Sequence, residues 1–570
     1  MTLPRTCVRA LMIFATSSLM LGCRTTPQVD YVAQKTATFG TAAVAGPHPL
    51  ATAVAETVLR EGGNAIDAAV AMQFAMAVVY PRAGNLGGGG FMVYRDADGT
   101  ATSLDYRERA PAAASRDMYL DAAGDIIPNM STLGHRAVGV PGTVAGIVAM
   151  HERYGSKPWA ELVAPAVALA QDGYRLSQSE VGRLKRYHAE LAQFNDNSPF
   201  LDSAAVAGTL VRQPDLAATL GRIRDRGRAG FYAGRTADLI VAEMRSGNGL
   251  ITAADLNDYA ATWRDPIRKA YKEYDLISMP PSSSGGVALA QMAEMLESFP
   301  LASYGFQSLP AVQVTVEAMR RAYADRAEYL GDTDFYPVPV DSLLQDDYLA
   351  ARMADFRTDS AGTSTAIGAG LATVRESYET THLSIIDAAG NAVSITTTLN
   401  GNFGSKVIVD GAGFFLNNEM DDFSAKPGVP NMFGLVGKEA NAIAPGKRML
   451  SSMTPTIVER DGELFMVLGA PGGSTIITAV LQTFLNVAEY GMDLPAAVDA
   501  PRFHHQWLPD VVLHEADALP APVRDSLVAK GYTLREVKYM AVIKALLRNA
   551  DGSITAAADG RNPDDDVAGY

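Results

Sequence analysis

The sequence predicts an α/β protein in which helices cover β-sheet, and three features of the chain support this class. The 570 residues are 48% hydrophobic and 19% charged, which is typical of a globular protein with a large core. Alanine-rich helical segments suit close packing against a sheet. Short runs rich in β-branched residues, bounded by Gly, Pro and Asn turns, indicate the strands.

These signals predict the elements in chain order. Residues 49–80 should form two alanine-rich helices separated by Gly62-Gly63, with Asn64 capping the second helix and Asp67 three residues further on. Further helices are expected at two places, residues 159–170 and 312–329. The strand candidates are residues 90–94, 276–279, 383–387, 392–399 and 463–468.

The N-terminus has the features of an export signal. Arg5 and Arg9 precede an apolar run of 12 residues, 10–21, which is shorter than the roughly 20 that a membrane span requires. The run leads to Leu-Gly-Cys and resembles a bacterial lipoprotein signal. We therefore expect residues 1–22 to be removed, Cys23 to be lipidated and residues 23–36 to form a tether. The alternative is a plain signal peptide with Cys23 incidental.

Charge and composition exclude several functions. The formal net charge is −15, and no run of Lys and Arg offers the basic face that nucleic acid requires. The two cysteines, Cys7 and Cys23, leave no disulfide and no cysteine nucleophile in the mature chain. The histidines lack metal-ligand spacing, and the glycine run at residues 87–90 lacks the Lys of a P-loop. The sequence therefore predicts no metal and no cofactor.

The most informative stretch of the chain surrounds Thr380. A polar segment ends at Glu379, an alternating strand follows, and a second Thr-rich strand containing Thr398 comes after a turn. A threonine hydroxyl becomes a useful nucleophile when a base takes its proton, and a free α-amine on the same residue can do so. Cleavage between Glu379 and Thr380 would supply both groups. If the chain is cut there, it would be a self-activating amide-transfer enzyme made as an inactive precursor, an interpretation that rests on resemblance to a known family.

Several long motifs carry a resemblance to a known family. They are AGNLGGGGF at residues 83–91, DYRE at 105–108, VPGT at 140–143, PSSSGG at 281–286, TTH at 380–382, LNNEMDDF at 416–423, LSSMTP at 450–455 and GAPGGS at 469–474. Together they resemble the motifs of γ-glutamyltransferases over residues 37–570. The resemblance implies a four-layer αββα sandwich of the N-terminal-nucleophile hydrolase type. A large subunit, residues 37–379, and a small catalytic subunit, residues 380–570, would form it jointly.

The same resemblance implies the catalytic residues. Thr380 would attack the γ-carbonyl of the donor, and Thr398 on the neighbouring strand would tune it. The backbone N–H groups of Gly472 and Gly473 would form the oxyanion hole, because donors without side chains approach the developing charge closely. From the residues alone, the glycine pair is equally consistent with a tight turn.

The implied substrate-binding residues pair the two charges of a γ-glutamyl group. A buried ammonium and a buried carboxylate both need partners. The guanidinium of Arg107 is suited to a carboxylate, which it would bind as a fork with help from two serines. Carboxylates and an amide carbonyl are expected to bind the α-ammonium of the donor. The full set is Arg107, Asn400, Glu419, Asp422, Ser451 and Ser452.

Residues 424–434 resemble the lid loop that covers the site in bacterial relatives. Phe433 stands where these enzymes often have Tyr, whose hydroxyl reaches Asn400. Phenylalanine has no hydroxyl, so we expect a lid that latches less firmly.

The resemblance implies a γ-glutamyltransferase and glutathione hydrolase. Its partners would be glutathione, related γ-glutamyl amides and amino-acid or peptide acceptors. The enzyme would lie in the periplasm, anchored by lipid to the outer membrane. Alternatively, it would be soluble in the periplasm or secreted. One alternative is a β-lactam side-chain acylase of the cephalosporin or glutaryl type, which has no reason to hold charged partners for an α-amino acid. Another is a lipid-anchored binding protein that does not process itself. The presence of Thr380, Thr398 and the Gly472-Gly473 pair argues against this alternative.

Overall fold

A computed structural model describes residue 29, residues 31–367 and residues 380–570. The predicted signal peptide, Cys23, half of the tether and Glu379 lie outside these residues. Within the described part of the chain, no helix combines the length and the apolar character needed to cross a membrane.

The strands of the described residues are short. In chain order they are β1 Thr36–Phe39, β2 Ala43–Gly46, β3 Gly89–Arg95, β4 Ala101–Asp105, β5 Tyr174–Arg175, β6 Leu210–Val211, β7 Thr262–Arg264, β8 Ile267–Tyr271, β9 Tyr274–Ser278, β10 Thr381–Ile386, β11 Ala392–Thr398, β12 Thr456–Arg460, β13 Glu463–Gly469, β14 Phe503–His504, β15 Val512–His514, β16 Leu534–Glu536, β17 Lys544–Arg548, β18 Ile554–Ala558 and β19 Asp566–Gly569.

The helices of the described residues vary widely in length. In chain order they are α1 Pro49–Arg60, α2 Ala65–Val79, α3 Thr143–Tyr154, α4 Trp159–Asp172, α5 Gln178–Phe194, α6 Pro214–Arg226, α7 Ala229–Tyr232, α8 Gly234–Ser246, α9 Ala253–Asp258, α10 Gly285–Glu297, α11 Leu301–Tyr304, α12 Leu309–Tyr329, α13 Val340–Leu343, α14 Asp346–Met353, α15 Ser364–Ile367, α16 Thr475–Ala488, α17 Leu494–Asp499 and α18 Ala521–Ala529.

Two seven-stranded antiparallel sheets form the centre of the molecule. Sheet I has the strand order β19-β2-β10-β11-β3-β4-β7, and sheet II has the order β1-β18-β17-β13-β12-β9-β8. In sheet I, β10 and β11 are flanked by β2 and β3. In sheet II, β12 pairs with β9, and β18 pairs with β1. Both sheets therefore combine strands from before and after Thr380 into one core.

The layers follow from the alternation of side chains along each strand. In β3, Met92 and Tyr94 pack with α1, α2, α3 and α4 on one face of sheet I. Phe91 and Val93 point to the other face and share a core with sheet II. Helices α10, α12 and α16 join that second core from the outer face of sheet II. The predicted αββα order of layers is confirmed.

The elements expected from local patterns lie close to where the sequence placed them. The Asn64 side chain accepts from the backbone N–H of Asp67 at 2.9 Å, and the Asp67 carboxylate accepts from the backbone N–H of Asn64 at 3.0 Å. This reciprocal cap begins α2 as predicted. The helix expected at residues 312–329 begins earlier, at Leu309, because the Ser308 hydroxyl caps it and a proline fits its first turn.

Candidate active site

Thr380 lies at the start of β10, in the middle of sheet I. Its side chain is buried, and the strand begins at the next residue. The antiparallel register pairs Thr381 with Thr397, so Thr380 stands across from Thr398, the last residue of β11. The predicted nucleophile and the predicted tuning residue are therefore buried neighbours on adjacent strands.

Thr398 is held in place from two sides. Its hydroxyl accepts from the backbone N–H of Asn400 at 2.7 Å, and its carbonyl accepts from the Asn85 side chain at 2.9 Å. A Cβ on Gly88 would lie 2.0 Å from the Thr398 carbonyl oxygen, so the glycine lets the two chain segments approach closely. The glycine run at residues 87–90 thus allows close packing beside the predicted nucleophile.

Arg107 is the centre of a buried group of charges just beyond β4. Its Nη1 donates to Glu419 Oε1, and its Nη2 donates to Asp422 Oδ2. Its Nε donates to the carbonyl oxygen of Met449 at 3.3 Å, and Glu108 Oε2 lies 3.6 Å from Nη1. One guanidinium therefore faces three carboxyl groups, and we call Arg107, Glu108, Glu419 and Asp422 the charged group.

The environment of the charged group favours the binding of a further cation. Burial raises the pKa of Glu419 and of Asp422, although attraction to Arg107 opposes this, and burial raises the pKa of Glu108 to about 7. Both carboxyl oxygens of Glu108 and Oε2 of Glu419 have no hydrogen-bond partner among the described residues. These spare acceptors and the excess of carboxyl groups suit an ammonium ion.

The charged group adjoins the nucleophile pair. Gly89 pairs with Thr398 across the sheet, and a Cβ on Gly89 would lie 2.6 Å from Glu108 Oε2. Asn400 approaches from the other side, with a positive φ of 70° that asparagine tolerates better than most residues. Its Nδ2 donates to the carbonyl oxygen of Asn418 at 3.0 Å, which leaves the side-chain oxygen to act as an acceptor.

The serine pair Ser451-Ser452 lies against α12. The carbonyl oxygen of Ser451 accepts from the backbone N–H of Ser284 at 2.8 Å and from its hydroxyl at 2.6 Å. The hydroxyl of Ser452 accepts from Nη2 of Arg326 at 3.2 Å. A second buried guanidinium, Arg326, therefore stands behind the two serines.

Gly472 and Gly473 form the turn between β13 and α16. Their φ angles of 150° and 55° lie in the region that favours glycine. Their N–H groups lie at the N-terminal end of a 14-residue helix, where the helix dipole favours negative charge. The hydroxyl of Tyr323 donates to the carbonyl oxygen of Ser474 and anchors the turn to α12. Paired N–H groups at a helix N-terminus can stabilise negative charge, so the oxyanion hole stays a prediction at this turn.

The lid loop, residues 424–434, folds back onto the site. The side-chain amide of Asn431 donates to Asp422 Oδ1 at 3.1 Å. The Asn400 Nδ2 lies 3.6 Å from the sulfur of Met432. Phe433, which the sequence predicted at the latch of the lid, is buried in the core that sheet II shares with the helices. The lid therefore contacts Asn400 through Met432.

The predicted site residues fall into connected groups, but sequence reasoning missed some important neighbours. Glu108 follows Arg107 directly, so the Arg-Glu pair could have signalled it. Asn431 lies in the lid segment without a marked pattern. Arg326 lies inside a predicted helix whose periodicity carries no signal of a site. Glu379 and Cys23 lie outside the described residues.

No described group of three or more His, Cys, Asp and Glu side chains is placed to hold a metal ion. The adjacent histidines are buried within the fold. His504 Nδ1 lies 2.8 Å from the Thr478 hydroxyl, and His505 Nε2 lies 3.2 Å from Asp510 Oδ1. Burial lowers the pKa of His504 to about 3 and that of His505 to about 4, so both are neutral at pH 7.

Comparisons with known proteins point to one family. A family model described as Gamma-glutamyltranspeptidase matches residues 51–569. A glutathione hydrolase proenzyme of Pseudomonas sp. (strain A14) is 49% identical over 491 residues, which cover 85% of this chain and 84% of that protein. A second one, of Escherichia coli (strain K12), is 45% identical over 532 residues, covering 92% and 91%.

A solved structure shares the whole fold. The cephalosporin acylase from Bacillus halodurans superposes with a TM-score of 0.81 over 97% of this chain and 99% of that one, at 24% sequence identity. The similarity extends across both sheets and their helix layers. The family match over residues 51–569 and the relatives at 49% and 45% identity establish that the chain belongs to the gamma-glutamyltranspeptidase family.

Proposed function

We propose that this protein is a γ-glutamyltransferase and glutathione hydrolase that activates itself by cleavage between Glu379 and Thr380. The charged group beside the Thr380–Thr398 pair is the observation that carries the proposal. A γ-glutamyl donor ends in an α-ammonium and an α-carboxylate, and both must be paired when they are buried. The names of the relatives support glutathione as the donor.

The mechanism follows from the residues around Thr380. After cleavage, its free α-amine, with an ordinary pKa of about 7.7–8.0, takes the proton of its own hydroxyl as Oγ1 attacks the γ-carbonyl carbon. The negative charge on the carbonyl oxygen is stabilised by the N–H groups of Gly472 and Gly473. The leaving amine takes the proton and an ester to Thr380 remains. Water or an acceptor amine then attacks this ester and restores Thr380.

Cleavage leaves the two subunits associated. Strands β10 and β11, which follow the cut, pair with β2 and β3, which precede it. Sheet II also pairs strands from both sides of the cut, because β12 pairs with β9 and β18 pairs with β1. Separation would break two extensively paired sheets, so the processed enzyme is a stable heterodimer of a large and a small subunit.

A β-lactam side-chain acylase is the second candidate, because it shares the fold. A glutaryl or cephalosporin side chain carries no α-ammonium. It would leave Glu108, Glu419 and Asp422 without a cationic ligand beyond Arg107. The excess of buried carboxyl groups therefore favours the γ-glutamyl donor over the acylase substrates.

For the location we propose export to the periplasm with a lipid anchor at Cys23, supported by the apolar run and the Leu-Gly-Cys sequence. Stable anchoring requires more than one acyl chain, as lipoproteins carry. Cys23→Ser should release the enzyme into the soluble fraction or stall its processing. Wild-type protein that is soluble and free of lipid would favour a plain signal peptide.

A denaturing gel combined with an activity assay tests the function. Wild-type protein should give two bands of unequal size and release anilide from a γ-glutamyl anilide. Thr380→Ala should give one full-length band and no release. Thr381→Ala is a matched control, because Thr381 is a buried neighbour whose hydroxyl has no partner among the described residues. Processing of Thr380→Ala would refute the assignment of the nucleophile.

A further inference from the structure

The sulfur of Met432 lies where two side-chain amide groups converge. Nδ2 of Asn400 lies 3.6 Å from this sulfur, and Nδ2 of Asn418 lies 3.8 Å from it. Each nitrogen also donates to a carbonyl oxygen at 3.0 Å, Asn400 to that of Asn418 and Asn418 to that of Thr132. An amide nitrogen carries two hydrogens, so on each group one hydrogen is bound by a carbonyl and the other is left for the sulfur.

The orientation of both amide groups is set by these other contacts. The side-chain oxygen of Asn418 accepts from the backbone N–H of Gly401 at 2.8 Å, so its nitrogen is the atom that faces Met432. Asn400 directs its nitrogen at the carbonyl oxygen of Asn418. A thioether is a weak acceptor, so two converging donors meet a group that binds them poorly. A stronger acceptor at this sulfur would be bound from two sides.

Met432 is also open to small molecules. Within the described residues four methionines are partly exposed, Met118, Met130, Met432 and Met492, and the other described methionines are buried. Met432 borders a cavity of about 460 Å³ between the predicted lid loop and residues 126–133. A water molecule takes about 30 Å³ of liquid volume, so this cavity admits a molecule of a few atoms.

The position of Met432 in the chain does not depend on its sulfur. Its backbone N–H donates to Asp421 Oδ2 at 2.9 Å. Of the four partly exposed methionines, Met432 is the one whose sulfur faces side-chain donors within residues 31–367 and 380–570. Conversion of the thioether to a sulfoxide would add a polar oxygen at the point where both amide groups have a hydrogen to donate.

We propose that Met432 is a modification site at which hydrogen peroxide forms the sulfoxide, whose oxygen binds the amide groups of Asn400 and Asn418 and holds the predicted lid loop closed. The sulfur lone pair attacks one peroxide oxygen, the O–O bond breaks, and that oxygen stays on sulfur. Its proton passes to the departing hydroxide, which leaves as water. The thioether is thereby oxidised by two electrons and the peroxide is reduced.

The proposal makes the share of hydrolysis depend on the redox state of one side chain. It rests on the proposed function, since a closed lid matters here because it keeps water from the γ-glutamyl ester. Reduction of the sulfoxide would loosen the lid again, and methionine sulfoxide is a reversible modification. Oxidation should therefore move the enzyme from hydrolysis toward transfer without any change of sequence.

Peroxide treatment of the processed enzyme tests this. The peptide that contains Met432 should gain the mass of one oxygen atom. The ratio of free glutamate to dipeptide formed from a γ-glutamyl anilide, at fixed acceptor concentration, should fall about two- to tenfold, as expected for one added hydrogen bond. This ratio is independent of the fraction of enzyme that stays active. Methionine sulfoxide reductases for both epimers should restore it.

Three variants separate Met432 from the other methionines. Met432→Leu has no sulfur at this position, so its ratio should not respond to peroxide. Met432→Gln places an amide oxygen near the two donors and should lower the ratio without peroxide. Met492→Leu is the matched control, because Met492 is partly exposed but lies between α16 and α17, and it should respond as the wild type does.

The outcomes that would overturn the proposal are distinct. They are a sulfoxide at Met432 with an unchanged or higher ratio of glutamate to dipeptide, a Met432→Leu variant that responds like the wild type, and oxidation of Met492 while Met432 stays reduced. A wild-type enzyme that is inactive on the γ-glutamyl anilide would instead refute the proposed function.

Discussion

The sulfur of Met432 lies 3.6 Å from the side-chain nitrogen of Asn400, and this contact joins the predicted lid loop to the proposed donor site. The backbone N–H of Met432 also donates to Asp421 Oδ2 at 2.9 Å. Phe433 is buried next to it, and its carbonyl oxygen accepts from Gln506 Nε2 at 3.3 Å. A thioether is a weak acceptor, so the side-chain link between the lid and Asn400 is weak.

Restoring a hydroxyl at position 433 should tighten the lid. In Phe433→Tyr, a hydroxyl that reaches Asn400 would form a hydrogen bond that contributes about 0.5–1.5 kcal/mol, which is up to about tenfold in lid closure. Water would then reach the γ-glutamyl ester less often, and the share of hydrolysis should fall. The partition of a γ-glutamyl anilide between free glutamate and dipeptide, at fixed acceptor concentration, measures this.

Met432→Leu is the companion variant for the lid. It keeps the backbone bond to Asp421 but removes the sulfur from Asn400, so the share of hydrolysis should rise slightly. Identical partition in Phe433→Tyr and wild type would show that the missing hydroxyl does not control access of water.

Donor affinity should depend on the forked geometry of Arg107. Arg107→Lys keeps the charge but cannot reach Glu419 and Asp422 together, so both carboxylates lose their fixed positions. We expect KM for the γ-glutamyl anilide to rise about 10- to 100-fold, with a smaller change in kcat. Initial rates over a range of donor concentrations give both constants. An unchanged KM would place donor binding elsewhere.

The hydroxyl of Thr398 should matter more than its methyl group. It accepts from the N–H of Asn400, and its loss would free both the strand end and the strained Asn400 backbone. We expect Thr398→Val to slow self-cleavage and to lower kcat at least about fivefold, since one hydrogen bond beside the proposed nucleophile contributes about 1 kcal/mol or more. Thr398→Ser keeps the hydroxyl and should recover most of both rates. Equal losses in the two variants would point to packing instead.

A buried carboxyl group far from the site should make stability depend on pH. Burial raises the pKa of Glu180 to about 8, whereas an unfolded Glu titrates near about 4.3. The folded state therefore favours the protonated carboxyl group. The contribution of Glu180 to the free energy of unfolding is full below about pH 4.3 and is lost as the pH rises through about 8. The loss is up to about 5 kcal/mol.

Glu180→Gln should remove this dependence. Glutamine is neutral and can still accept from the N–H of Ser177, as Glu180 does at 2.7 Å. The difference in melting temperature between pH 6 and pH 9 should therefore shrink in the variant. Glu108 and Asp421, whose pKa values burial also raises, remain in both proteins and do not affect the comparison. The same difference in both proteins would contradict the prediction.

The sequence by itself determined the local structure and predicted the nucleophile at Thr380. Propensity, capping and side-chain alternation act over a few residues, so α2 begins after Asn64 and the strands on either side of the turn at residues 389–391 lie where they were expected. The order of the motifs predicted the four-layer arrangement, and the roles that it implies for Thr380 and Arg107 stay predictions.

Only the tertiary structure decided which charges neutralise one another. Arg107 and Asp422 are 315 positions apart and meet because β4 and the segment after Asn418 converge at the end of sheet I. Electrostatic pairing depends on distances of a few ångströms, which packing of the two sheets sets and local sequence does not encode. The contact of Met432 with Asn400 could be found only once the segment at residues 424–434 was in place.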